Sequence, residues 1–382
     1  MFISDLALDQ FRSYDHQVVQ FATGAQALIG LNGQGKTNLV EAIAYLATFS
    51  SHRVAADTAL VKAGESAAVI RAKVQDGDRS LMLEVEILAG KANRARLNRT
   101  PVKTRELLGI VHCVIFAPED LILVKGDPSD RRRFLDDLLV QFSPRLGGVK
   151  TDYDRVLRQR SALLKSAFGQ QRAGRSPDLS TLDVWDEQIA DLGAQIIVAR
   201  ADMVAELQPL VEAAYDEVAS GQSTAAISIK SSLGEVPLDE LRDFDQMRQR
   251  LASALVDNRA REIERGVTLA GPHRDDLVLT LNELPARGYA SHGESWSFAL
   301  GLRLASYELL RARNDSDGRT SPILILDDVF AELDASRQRR LAAMVAGAEQ
   351  VFVTAAVPSD VPEELDAQRY TVANSVVSID ES

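Results

Sequence analysis

Gly30-Leu-Asn-Gly-Gln-Gly-Lys36-Thr37 decides the architecture of this chain. It fits the phosphate-binding pattern G-x-x-x-x-G-K-[ST] at every fixed position. Upstream, Ala25-Gln-Ala-Leu-Ile29 reads as a short buried strand; downstream, Asn38 to Phe49 carries apolar residues at helical spacing. A strand, a glycine loop and a helix in that order form a nest. Backbone N–H groups and the positive end of the helix then converge on a triphosphate. Gly30, Leu31, Asn32, Gly33, Gln34 and Gly35 make the cradle, Lys36 is placed to reach the β- and γ-phosphates, and Thr37 offers a hydroxyl to Mg²⁺. The expected ligand is a nucleoside triphosphate.

A second half of such a site lies far downstream. Pro322-Ile-Leu-Ile-Leu326 is a fully apolar strand, as found in the middle of a parallel sheet covered on both faces, and Asp327-Asp328 follows at once. A carboxylate at the end of a central strand beside a phosphate loop suits Mg²⁺, so Asp327 and Thr37 can share the ion. Asp328 is the candidate to orient or deprotonate an attacking water; a solvated acidic pair ending the strand is the plainer reading. Ser291-His-Gly-Glu-Ser295 opens a helix. Its Ser-x-Gly turn can present a hydroxyl and backbone N–H groups to an anion, although alone it equals an N-cap with a capping carboxylate.

Composition narrows the classes. The chain has 382 residues, 46% of them apolar, enough for two or three compact units with a sizeable core. No uninterrupted apolar run approaches membrane-spanning length, so no membrane span is expected, and the start lacks a basic region before an apolar one, so no signal peptide is expected. The lone cysteine, Cys113, sits in an apolar run and reads as a reduced core residue, which implies a cytoplasmic location. With 55 acidic and 43 basic residues the net charge is −12, which argues against a general polyanion binder.

Residues 1–127 read as strand-rich around the phosphate loop, 128–265 as mostly helical with a break at 170–180, and 266–382 as a return to strands. In the helical part, Trp185, Ile189, Leu192, Ile196, Met203 and Leu210 recur at a period near 3.5, a seam suited to lengthwise helix packing. About 25 residues before Pro209 would span roughly 40 Å. Leu238 to Arg265 is the expected antiparallel partner, Ala225 to Lys230 a strand between them, and Val267 to Leu269 a further strand.

The order phosphate loop, helical insertion, Ser-x-Gly-Glu, strand-Asp-Asp resembles the ABC-type ATPase heads of the SMC and Rad50 group. Within that group the chain is similar to the RecF family of bacterial DNA replication and repair proteins. The closer resemblance rests on GLNGQGKTNLVEAI (30–43), Ser51-His-Arg53, FAPEDLILVKGDPSDRRRFLD (116–136), GPHRDD (271–276) and LILDDVFAELD (324–334). It implies an α/β fold with a parallel core sheet plus antiparallel strands and a mostly helical second lobe or short coiled-coil-like arm. The ATPase lobe would be split into 1–127, with the phosphate loop, and 266–382, with the signature, the Asp pair and the D-loop.

The resemblance also implies function. Two ATP molecules, each with Mg²⁺, would join two heads into a dimer that hydrolysis releases. Ser291 and Gly293 would act in trans, and Asp334 would match the D-loop lying against the opposite site. Double- and single-stranded DNA, at gaps or junctions, would be bound in concert with RecR and RecO, upstream of RecA loading and SOS induction. Three departures stand out. Asp328 replaces the commoner Glu, so turnover should be slow; Glu119 replaces the usual glutamine; and no histidine follows Val353-Thr354, although Thr354 itself could meet the γ-phosphate.

Physical support for DNA contact is local. From Arg131 to Arg160 there are eight basic and four acidic residues, a net +4. Arg131, Arg132 and Arg133 begin one helix, and Arg155, Arg158 and Arg160 lie on the next; phosphate contacts by such side chains position a duplex without reading its sequence. Pairing with Asp136, Asp137, Asp152 and Asp154 is the equal alternative. His273 is assigned a structural role. A transporter ATPase subunit and a P-loop small-molecule kinase remain as rival functions.

Overall fold

The fold is given by a computed structural model, which describes all residues except 55, 175, 177, 178, 180, 220–222, 317–320, 381 and 382. Two compact units emerge: Met1–Leu121, Leu210–Thr224 and Ser291–Ser382 form one, Ile122–Pro209 and Ala225–Ala290 the other.

The chain opens with β1 (Phe2–Phe11), β2 (Tyr14–Gln20), β3 (Gly24–Ile29) and α1 (Lys36–Thr48). Next come β4 (Ala67–Asp76), β5 (Arg79–Leu88), β6 (Arg94–Leu97), β7 (Thr100–Val102) and β8 (Cys113–Phe116). The helical stretch holds α2 (Leu121–Lys125), α3 (Pro128–Phe142), α4 (Pro144–Arg172) and α5 (Leu182–Ala219). After it come β9 (Ala225–Lys230), α6 (Leu238–Leu241), α7 (Phe244–Arg265), β10 (Asp276–Leu281), β11 (Leu284–Pro285) and α8 (Ala286–Tyr289). The last part holds α9 (His292–Ser316), β12 (Ile323–Asp327), α10 (Ala335–Val345), β13 (Gln350–Ala355), β14 (Gln368–Ala373) and β15 (Val376–Ile379).

In the first unit a six-stranded sheet runs in the order β15-β14-β3-β13-β12-β8. Its five strands from β14 to β8 are mutually parallel, with β15 antiparallel at the edge. A second sheet, β2-β1-β4-β5-β6-β7, is antiparallel throughout. β4 alternates apolar-in and polar-out, with Ala68, Ile70, Ala72 and Val74 buried, as a one-sided sheet requires. α1 is buried almost all round, and its Leu39, Ile43 and Leu46 share one core with Ile3, Leu8 and Ile70 of the antiparallel sheet and Ile325 and Phe352 of the parallel one. Each such side chain withdrawn from water contributes roughly 1.5–3 kcal/mol.

The second unit packs α4, α5 and α7 around Tyr153, Val156, Ile189, Ile197, Leu251 and Leu255. Asp183 meets Arg259 at 2.6 Å and Asp202 meets Arg242 at 2.5 Å. Between them a Cβ on Gly193 would stand 2.6 Å from Leu251, so α5 and α6–α7 run antiparallel in close contact. The expected single partner helix is broken at 242–243, where Asp243 caps α7 by accepting the Gln246 N–H.

Other expectations are corrected. α5 carries Pro209 inside it and continues to Ala219, although proline costs a helix interior about 3 kcal/mol. Burial of Val211, Ala214, Tyr215 and Val218 offsets that, with Tyr215 against Phe298. Val267–Leu269 is not a strand, because its polar groups are taken by side chains: Thr268 O accepts from Arg274, and the Leu269 N–H donates to Glu262. The units are also cut elsewhere than at residues 127 and 265, since β10 pairs with β9 and so keeps 266–290 with the helical unit.

Candidate nucleotide-binding site

The parallel register builds the site. Asp327 of β12 lies opposite Thr354 of β13, and Thr354 lies opposite Leu28 of β3. The carboxyl ends of three adjacent strands therefore bring the Asp pair, Thr354 and the glycine loop to one edge, where ligands of open α/β sheets bind. The Thr37 hydroxyl donates to Asp327 Oδ1 at 3.1 Å, although 290 residues separate them in sequence. Lys36 Nζ, on the first turn of α1, donates to Gly30 O at 2.7 Å.

The loop has the shape of an anion cradle. Gly33 and Gly35 take φ of +79° and +113°, which L side chains rarely adopt. A Cβ on Gly30 would stand 2.1 Å from the Val372 carbonyl oxygen, and one on Gly35 would stand 3.0 Å from the Tyr14 hydroxyl. Two hairpin tips hold the loop. Tyr14 O–H donates to Gly35 O at 3.1 Å, and Asn38 Nδ2 donates to Ser13 Oγ at 2.9 Å. From the other side, Asn374 N–H donates to Gln34 Oε1 at 2.6 Å and Ser375 N–H to Gln34 O at 2.9 Å. These clasping residues were not singled out from the sequence. The positive φ of both Asn374 (52°) and Ser375 (58°) marks a two-residue type I′ hairpin, a turn that Asn-Ser signals only weakly.

Asp327 is buried, which pushes its carboxyl up to about 6; the negative charges of Asp328 and Glu119 add to this, against hydrogen bonds from Thr354 and Thr37. Thr354 does not face outward, as a contact to a γ-phosphate would need. It is buried, its hydroxyl 2.6 Å from Asp327 Oδ1 and accepting the Asp328 N–H at 2.9 Å. Asp328 sits at φ 50°, an uncommon conformation for a non-glycine residue, which this hydrogen bond supports. The hydroxyl of Thr37 and the carboxylate of Asp327 form a set of hard oxygen donors around a buried negative charge, which fits Mg²⁺.

Beside the loop, Glu41 is fully buried. Burial opposes its charge, but the bidentate Arg12 pair (2.7 and 2.8 Å), the Ser51 hydroxyl and the Arg53 charge outweigh it and hold its carboxyl below the ordinary value. Arg53 Nε also lies 3.7 Å from Glu119, which is half exposed. The motif Ser51-His-Arg53 thus connects α1 to the turn after β8.

Ser291 and Gly293 open α9 on the surface. Ser291 Oγ accepts the Glu294 N–H at 3.2 Å, and Glu294 Oε2 accepts the Ser291 N–H at 2.8 Å, a reciprocal capping box. Asp334 is exposed and caps α10, accepting from the N–H groups of Ser336 and Arg337 at 2.9 and 3.0 Å. In this one copy, then, Ser291 and Asp334 cap the starts of helices.

The basic segment is less uniform than its composition suggested. Arg131 is buried and forms a bidentate pair with Asp276 (2.8 and 2.9 Å), so it is corrected from a surface phosphate ligand to a structural cation. Arg160 is likewise buried, against Asp186, Glu262 and Thr268. Arg133, Arg155 and Arg158 are exposed; Arg155 pairs with Asp152 at 3.0 Å, and Arg133 lies 3.8 Å from Asp137.

Residues 2–374 match the sequence profile of the RecF/RecN/SMC N terminal domain. Over 393 residues, 99% of this chain and of the relative, the sequence is 57% identical to the DNA replication and repair protein RecF of Beutenbergia cavernae. The chain belongs to the RecF family. Membership extends to a Streptomyces avermitilis RecF, 53% identical with 99% of each chain covered. A solved structure of the recombination mediator protein RecF-ATPrS in the RecFOR pathway superimposes with a TM-score of 0.88 at 28% identity, covering 99% of this chain and 98% of that one. An SMC head bound to the C-winged helix domain of ScpA shares the fold at a TM-score of 0.56 and 15% identity, with 100% and 97% covered. Family and fold agree: this is an ABC-type ATPase head of DNA replication and repair. Among the described residues, no helix is long and apolar enough to cross a membrane.

Proposed function

We propose that the chain is an ATP-dependent DNA-binding ATPase of recombinational repair, two copies of which close around bound nucleotide. The observation that carries this is the row Asp327–Thr354 beside the Gly30–Thr37 loop, with Thr37 hydrogen-bonded to Asp327. Gly30 to Gly35 offer N–H groups to phosphate oxygens, and Lys36 leaves the Gly30 carbonyl to bind them. Thr37 and Asp327 would hold Mg²⁺, which when bound would supply charge that neutralises the phosphate oxygens. Asp328 orients or deprotonates water, with Thr354 fixing its backbone. The side chain of Asp328 is one methylene shorter than Glu, so slow turnover is expected, stimulated by DNA.

Ser291 and Gly293 of one copy serve the nucleotide of the other. Two features support this: both residues are at the surface start of a 25-residue helix, and Ser291 is exposed. Asp334 lies against the opposite site in the same arrangement. Arg133, Arg155 and Arg158 are proposed to hold double- or single-stranded DNA phosphates. RecR and RecO are the proposed partners, with RecA loading and SOS induction downstream, a reading supported by the likeness to a protein of the RecFOR pathway. A cytoplasmic location follows from that work. The transport and kinase readings have no support in a relative 57% identical over the whole chain. ATP hydrolysis measured with and without gapped duplex, with Lys36→Met as the blank, tests the proposal; a rate unmoved by DNA would contradict its repair half.

A further inference from the structure

The arginine triplet divides in three directions within the helical unit. Arg131 is spent on Asp276 and Arg133 is exposed, but Arg132 lines a cavity of about 420 Å³. That volume falls in the roughly 300–1,000 Å³ range of small-ligand sites. The walls come from α3, α4, α5 and the Gly271–Asp276 turn, with Ser129, Tyr153, Pro272 and His273 among the lining residues.

The charge count around the cavity is uneven. Arg132, Arg133, Lys150 and Arg200 face Asp136, Asp137 and Asp154. Arg200 pairs with Asp136 at 2.7 Å, Lys150 with Asp154 at 2.8 Å, and Arg133 lies 3.8 Å from Asp137. Arg132 is the lining cation with no direct ion pair to these three carboxylates. Its Nη1–H donates to the backbone oxygen of Asp275 at 2.7 Å, and the carboxylates of Asp276, Asp136 and Asp275 act on it through space rather than by a direct ion pair. Burial, and then the neighbouring Arg200 charge, lower its pKa from the usual guanidinium value, against the opposing charges of Asp276, Asp136 and Asp275. His273 adds no charge: its Nε2–H donates to Thr268 O and its Nδ1 accepts from Tyr153 O–H, which describes a neutral ring.

We propose that this cavity binds a phosphate-class oxyanion on the Arg132 guanidinium. A planar guanidinium with N–H groups to spare matches two oxygens of a phosphate, and the bond is stronger in a partly dehydrated site than at the surface. The Ser129 hydroxyl, in the first turn of α3, is the second donor in the wall, at the helix end that favours negative charge. Such an anion comes either from free phosphate or from a nucleic-acid phosphate. This site is separate from the nucleotide loop and belongs wholly to the helical unit.

The test uses the full chain carrying Lys36→Met, so that the nucleotide loop contributes little. Inorganic phosphate binding is followed by ³¹P line broadening, and duplex binding by fluorescence anisotropy. Arg132→Gln should weaken phosphate binding at least tenfold, while Arg79→Gln, an exposed arginine of β5, changes it less than twofold. Should Arg132→Gln fold poorly, Ser129→Glu decides, since a first-turn Glu suits the helix yet repels an oxyanion; at least tenfold weaker binding is again expected. Duplex affinity that falls with phosphate affinity assigns the site to nucleic acid, and unchanged duplex affinity assigns it to free phosphate; both support the cavity. Phosphate affinity unchanged in the variants overturns it. Absence of duplex binding by the parent chain would count against the DNA reading and leave the phosphate arm intact.

Discussion

Thr354 holds both residues of the Asp pair: its Oγ1 is 2.6 Å from Asp327 Oδ1 and accepts the Asp328 N–H at 2.9 Å. One buried hydroxyl thereby sets the carboxylate assigned to the metal and the backbone of the residue assigned to water.

Thr354→Val keeps the shape of the side chain and removes that hydroxyl. Losing a buried hydrogen bond costs about 1–3 kcal/mol, which corresponds to a drop of roughly fivefold to 150-fold if it falls on the reaction barrier. Steady-state ATPase should show the loss in kcat, with nucleotide affinity changed less than threefold.

Gly30→Ala places a methyl group 2.1 Å from the Val372 carbonyl oxygen, which is backbone and cannot step aside. The loop or β14 must shift. Overpacking of this kind costs about 1–3 kcal/mol, and the midpoint of thermal unfolding should fall accordingly, together with nucleotide binding.

Arg131→Ala leaves Asp276 without its bidentate partner in a largely buried place, a loss of roughly 3–5 kcal/mol. Arg155→Glu with Arg158→Glu should leave stability nearly unchanged while weakening duplex binding and flattening its dependence on salt. Urea unfolding and anisotropy titrations at two salt concentrations separate the two kinds of arginine.

His273 gives stability a pH dependence whose sign follows from its burial. Burial lowers its pKa from 6.5 to about 4, so below pH 6.5 the unfolded chain binds the proton more readily than the folded one. The contribution is present above pH 6.5 and is lost as pH falls toward 4, up to about 3 kcal/mol. Denaturant unfolding at pH 7.5 and pH 5 should show a smaller difference for His273→Gln than for the parent chain.

Much of the nucleotide site was legible because its parts are local. The loop needs glycines and a lysine at fixed spacing, and an all-apolar strand must end where Asp327 begins. Thr354 was noticed for the wrong contact, since only the register of β12 and β13 shows that its hydroxyl turns inward. Ser13, Tyr14, Asn374 and Ser375 were missed because hairpin tips converge on the loop through tertiary packing, which no periodicity records. Arg131 and Arg133 are two residues apart in one basic run, yet their positions on α3 send one to Asp276 and the other to the surface.

The central claim is that two copies close on nucleotide, each completing the other's site through Ser291 and Gly293. Light scattering after size-exclusion of Asp328→Asn in saturating Mg-ATP measures this directly. A stable dimer is expected, reverting to monomer when Ser291→Arg is added although nucleotide still binds. An Asp328→Asn chain that binds nucleotide yet stays monomeric at every concentration would contradict the account.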